Sequence, residues 1–104
     1  MSEFKDTTVI KKGNIYFDGK VVSRTILFPS GEKKTLGFMQ IGEYEFSTSD
    51  AEIMEIQTGK LKTQIADSTE WKEISSGESF SIPANSKFKM VVSEVTDYIC
   101  SFVK

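Results

Sequence analysis

The residues of this chain best suited to chemistry cluster between positions 42 and 59 and again between 77 and 88. In the first stretch Glu52 stands seven residues before Gly59, just after the hydroxyl-rich turn Ser47-Thr48-Ser49. Side chains alternate between the two faces of a strand. Tyr44, Phe46 and Thr48 therefore share one face, as do Glu52, Met54 and Ile56, and their apolar members mark those faces as inward. An inward carboxylate is costly unless it is paired or functional. Burial without a cation raises its pKa and keeps a proton on it, which is the state a general acid needs. The structural alternative is that Glu52 pairs with a lysine and braces the core. Phe46, Tyr44 and, from the second stretch, Phe88 offer an aromatic surface suited to a flat ligand, with Met54 beside them.

Composition narrows the chemistry further. The chain has 104 residues, 38% apolar and 27% charged, with a net charge of −2. That is one domain with one core, and it gives no electrostatic ground for binding nucleic acid or an anionic membrane. There is no histidine, so the commonest metal ligand and the usual acid-base side chain near neutral pH are both missing. The basic candidates for a site are Lys33, Lys34 and Arg24. The single Cys100 has no intrachain disulfide partner and alternates with Tyr98 and Phe102 on an inward face, as a small core residue would. The N-terminus lacks the layout of a signal peptide, and no apolar run reaches the roughly 18 residues that span a membrane. The expectation is a soluble cytoplasmic protein.

The elements that must position these residues are short strands. Turn signals recur at Asp18-Gly19, Pro29-Ser30-Gly31, Ile41-Gly42, Ser49-Asp50, Thr58-Gly59, Asp67-Ser68, Ser75-Ser76-Gly77, Pro83-Ala84-Asn85 and Ser93-Glu94. Runs rich in β-branched and aromatic residues lie between them, which is the sequence form of an all-β barrel or sandwich. Alternation adds three more inward sets: Leu61, Thr63 and Ile65; Phe88, Met90 and Val92; Tyr98, Cys100 and Phe102. The first regular strand is expected near Lys20. Residues 1–13 read either as an arm that adds an edge strand, in this subunit or a partner, or as a loosely ordered terminus, with the barrel domain over 14–104. Trp71, after an acidic turn, is expected to cover the core rather than cap a ligand.

The two stretches resemble the paired motifs of the cupin superfamily, small β-barrels whose motifs supply three histidines and a glutamate to a metal. Here the glutamate position is Glu52, the histidine positions hold Phe46, Thr48 and Phe88, and Asn85 replaces the second motif's glycine after Pro83. A dedicated transition-metal site is therefore not expected. The blocks Tyr16-Phe17-x-Gly19-Lys20-Val21, Gly42-Glu43-Tyr44-x-Phe46-Ser47-Thr48, Trp71, Pro83-x-x-Ser86-x-Phe88 and Asp97-Tyr98-x-Cys100 narrow the resemblance to the single-domain cupins known as pyrimidine/purine nucleoside phosphorylases, over roughly residues 14–104. The chain differs from that pattern in a longer N-terminal segment and in the Pro29–Lys34 turn, where a more serine-rich loop with an arginine would be expected.

The resemblance implies a single-domain, jelly-roll cupin barrel and metal-free phosphorolysis, in which a nucleoside and inorganic phosphate give a free base and a pentose 1-phosphate. It implies no cofactor beyond phosphate as co-substrate, and a homodimer is the default assembly. Breaking an N-glycosidic bond builds positive charge on the sugar, so the site needs a carboxylate, a proton donor for the base and a seat for phosphate. The roles fall on Glu52 as the catalytic group, on Tyr44, Phe46, Phe88 and Met54 as the base-binding surface, and on Ser47, Thr48, Ser49, Lys33 and Arg24 as phosphate contacts. Two alternatives remain open: a metal-free cupin that only binds a small aromatic ligand, and a nucleoside hydrolase.

Overall fold

The structure, a computed structural model, describes residues 3–103, so the first two residues of the N-terminal arm and the last residue lie outside it. The described residues form strands β1 (Thr8–Val9), β2 (Asn14–Tyr16), β3 (Val21–Leu27), β4 (Lys33–Met39), β5 (Gly42–Ser47), β6 (Ala51–Ile65), β7 (Lys72–Ser75), β8 (Ser79–Ile82) and β9 (Lys87–Val103), with one 3-10 turn at Phe17–Gly19. Every pairing is antiparallel. The all-β, cupin-type architecture expected from the sequence is what the chain adopts, although the hydrogen-bonded path from β1 to β7 leaves the sheet unclosed.

Two long strands organise the fold. One half of β9 pairs with β5 and the other with β4, while β6 runs beside β9 along nearly its whole length. The register slips between Ile56 and Leu61. Bulges of this kind bend a strand and raise its twist, so β6 and β9 pass through both layers of a rolled sheet. Val21, Met39 and Met54 of one layer meet Tyr44, Leu61 and Met90 of the other in one core.

This corrects two expected turns. Thr58-Gly59 lies inside β6 and Ser93-Glu94 inside β9. Gly59 has φ +115°, and a Cβ there would lie 2.5 Å from Thr96 Oγ1. The glycine thus serves the bulge, not a chain reversal.

The first strand precedes the expected start near Lys20: β2 pairs with β3 from Asn14, and β1 pairs with the end of β3 in the same chain. Trp71 is 41% exposed, with the Lys62 ammonium 5.2 Å from its ring centroid, so it neither covers the core nor caps a cavity. All five inward sets predicted by alternation are buried or half-buried.

Candidate active site

One cavity of about 210 Å³ opens between the layers. Its lining comes from Tyr16 on β2, Ser23 on β3, Thr35 and Met39 on β4, Phe46 and Ser47 on β5, Glu52 and Met54 on β6, and Phe88, Met90, Tyr98, Cys100 and Phe102 on β9. Met39, Met54 and Met90 are buried and form a floor, whereas Tyr16 is 43% exposed at the mouth. Phe46 and Phe88 face each other across β5 and β9, with centroids 6.0 Å apart and ring planes 26° from parallel. Tyr16 and Phe17 pack on this pair's outer side, at 5.5 and 5.3 Å from Phe46. Phe17, Asp18 and Gly19 all have positive φ, so the turn that seats these rings is strained at its two non-glycine residues.

Glu52 is half-buried in the wall, and the Cys100 thiol donates to its Oε1 at 3.4 Å. Burial pushes the carboxyl above its ordinary pKa, and nearby Asp50 adds to this, while the Cys100 hydrogen bond and the charge of Lys33 pull the other way. The alternative, an ion pair with a lysine, does not form: the one salt bridge among the described residues joins Lys5 to Glu3. Cys100, read from the sequence as a core residue, is buried but also lines the cavity. Burial first, then Glu52, pushes its thiol strongly up, so it stays protonated. Tyr98 is pushed up to about 12, mainly by burial, and remains a neutral phenol.

The cavity gathers Glu52, Phe46, Phe88, Met54 and Ser47 from the residues picked out by sequence. Lys33 is exposed but stands at its edge, its ammonium 4.5 Å from the Phe102 ring centroid. The other candidates lie elsewhere. Tyr44 is buried, its hydroxyl donating to the Gln40 carbonyl at 2.8 Å, and its ring packs on Phe17 behind the wall. Thr48 donates to the Pro83 carbonyl at 2.6 Å and accepts from the Ser86 N–H at 3.0 Å, so its hydroxyl ties the β5 end to the turn before β9. Ser49 is exposed on the turn between β5 and β6, its carbonyl accepting from the Asn85 N–H at 3.2 Å. Arg24 lies on the outer face of β3 and donates to the Lys11 carbonyl.

Sequence reasoning left out Ser23, Thr35 and Tyr98 as site residues. Ser23 alternates with Val21, and Thr35 with Met39, so strand parity could have found both. The group is polar where it meets β3: the Asn14 amide donates to Ser23 Oγ at 3.2 Å. No cluster of three or more His, Cys, Asp or Glu able to hold a metal occurs among the described residues.

A carboxyl with a raised pKa, an aromatic pair and three methionines thus line one cavity, with a lysine ammonium at its rim. The family model for pyrimidine/purine nucleoside phosphorylase matches residues 11–102. The chain belongs to this family. A pyrimidine/purine nucleoside phosphorylase from Pelobacter propionicus is 60% identical over 104 residues, with all of both chains covered. Among solved structures, a protein of unknown function from Acinetobacter sp. ADP1 superposes with a TM-score of 0.94 at 44% identity, covering 97% of this chain and 98% of its own. An RmlC-like cupin from Shewanella frigidimarina, at 16% identity and a TM-score of 0.70, covers 97% of this chain and 86% of its own and shows the shared fold alone. Within the family, then, the cavity described above is the place to look for phosphorolysis. No helix among the described residues is long and apolar enough to cross a membrane.

Proposed function

We propose that this chain cleaves purine and pyrimidine nucleosides with inorganic phosphate, releasing the free base and a pentose 1-phosphate, without a metal ion. The observation that carries the reading is the placement of Glu52, a carboxyl with a raised pKa, in the wall of a cavity floored by methionines and faced by Phe46 and Phe88. At about 210 Å³ the cavity is smaller than the roughly 300–1,000 Å³ typical of sites for drug-sized ligands. It suits a base, with sugar and phosphate at the mouth beside Ser47 and Lys33. Aromatic stacking barely distinguishes bases, and methionine side chains adapt to irregular shapes. Both favour tolerance of two base classes.

In this reading the C1′–N bond lengthens and its electron pair leaves with the base, which takes a proton from Glu52. A phosphate oxygen forms the new bond to C1′. Ionised after that transfer, Glu52 places negative charge near the sugar cation. Lys33 and Ser47 seat the phosphate by charge and hydrogen bonding. The missing third ligand and the lack of histidine support metal-free chemistry, since Glu52 and Cys100 alone make a poor donor set.

The test is release of uracil from uridine and of adenine from adenosine, with and without phosphate, followed together with pentose 1-phosphate. Turnover that needs phosphate and falls steeply in Glu52→Gln supports the reading. Turnover without phosphate would make the protein a hydrolase, and binding without turnover a carrier. A homodimer in the cytoplasm completes the proposal. Its support is the outward face of β3 and β4, where Val22 and Phe38 pair across the strands and stand 37% and 51% exposed. Light scattering at micromolar concentration reads the mass directly.

A further inference from the structure

Glu52 and Cys100 are diagonal neighbours on the two central strands. Met54 pairs with Cys100 and Glu52 with Phe102, so the two side chains lie on the same inward face, one alternation apart. On its other side Cys100 pairs with Thr35 of β4. The S–H donates to Glu52 Oε1 at 3.4 Å. A buried thiol of this kind is usually inert packing. Here it makes a directed contact to the one carboxyl in the cavity.

We infer that Cys100 is a positioning residue for Glu52: its S–H holds Oε1, fixes the rotation of the carboxyl and leaves Oε2 as the oxygen that carries the catalytic proton into the cavity. The inference rests on the proposed role of Glu52 in phosphorolysis for its consequence, but not for its geometry. A thiol that never ionises near neutral pH can only donate to a carboxylate, so the direction of the bond is fixed. A carboxylic acid whose Oε1 already accepts a hydrogen bond keeps its own proton on Oε2. The groups that act on Glu52 from the surrounding elements are Asp50 on its own approach, Lys33 on β4, and Cys100 and Tyr98 on β9. Of these only Cys100 touches a carboxyl oxygen.

Alanine and serine are close in size, so Cys100→Ala and Cys100→Ser leave similar gaps and differ chiefly in whether a donor remains. Isotope-labelled glutamate carboxyl carbons followed by NMR, with Glu52→Gln assigning the signal, read the titration of Glu52 directly. In Cys100→Ala the midpoint should move up relative to the unsubstituted protein, because the lost donor favoured the ionised form. In Cys100→Ser it should stay or move down. The kcat for phosphate-dependent uracil release should fall by about tenfold in Cys100→Ala, with the KM for phosphate unchanged, and recover in Cys100→Ser. Alanine and serine variants that behave alike in both measurements would overturn the inference, as would an unmoved midpoint in Cys100→Ala. If the midpoint moves while Glu52→Gln keeps full turnover, the thiol's hold on the carboxyl stands and the catalytic role of Glu52 falls.

Discussion

Gly37 tests whether the cavity wall is built as described. It lies on β4 between Ser23 of β3 and Tyr98 of β9. A Cβ added there would sit 2.8 Å from both Cε1 and Cζ of Tyr98, and closer still to the Val22 carbonyl oxygen. Carbon atoms rest at roughly 3.5–4.0 Å, so the Tyr98 ring would have to retreat by about 1 Å. Overpacking of this size costs about 1–3 kcal/mol. The upper end is expected for Gly37→Ala, because the Val22 carbonyl belongs to a paired strand and cannot rotate away. A loss of about 3 kcal/mol lowers the Tm of a domain near this size by roughly 10 °C or more. Since Tyr98 lines the cavity, its retreat should also reduce kcat/KM for uridine, by up to about 10²-fold if the base shifts by 1 Å. Urea denaturation and steady-state kinetics measure both effects. Combining the change with Tyr98→Leu should cost less than the sum of the two, since the smaller side chain relieves the collision. A Gly37→Ala protein within about 0.5 kcal/mol of the parent, with unchanged kinetics, would refute this account of the wall.

Three further outcomes follow from the same geometry. Burial gives Glu52 a raised folded pKa, so its contribution to stability is fully present below the ordinary carboxylate range and is lost as pH rises through the folded value; Glu52→Gln should therefore unfold at higher urea than the parent at neutral pH and lose that advantage in acid, and an advantage persisting in acid would contradict it. Thr48→Val removes the bond to the Pro83 carbonyl and strands the Ser86 N–H, so it should cost about 1–3 kcal/mol in urea denaturation and leave the KM for phosphate unchanged. Lys33→Glu should raise the KM for phosphate by roughly tenfold or more, the scale of one charged hydrogen bond, while Arg24→Glu on the outer face should leave it alone; equal effects from both would remove Lys33 from the site.

Strand faces were legible because alternation is a local rule that the rolled sheet does not disturb. Glu52, Met54, Phe46 and Phe88 reach the cavity for that reason. The same rule would have excluded Arg24, since it alternates with Ser23, whose hydroxyl lies on the cavity side of β3. Thr48 shows the limit: it does face inward, yet its hydroxyl is consumed by the backbone of a turn 35 residues away, and parity specifies a direction without a partner. The readings at Thr58-Gly59 and Ser93-Glu94 failed because a glycine or small polar pair marks a bulge as well as a reversal. Only the continuous pairing of β6 with β9 tells the two apart.

The cavity itself is a product of register. Thr25, Thr35, Cys100 and Met54 form one cross-strand row from β3 to β6, and Ser23, Gly37 and Tyr98 form the next. On β3 and β4 these rows carry small side chains, while the far layer supplies Phe46, Phe88 and Met90, and the hollow is what the small residues leave unfilled between the layers. Leu61, Ile74 and Val92 belong to the packed core and do not line it. Small residues in a core normally forfeit packing energy, and here several do so side by side, with polar atoms turned toward the gap. Stability alone would favour larger apolar residues at Ser23, Thr35 and Cys100. Their presence around a carboxyl keeps the hollow open at the expense of packing, as the proposed binding of a base there requires.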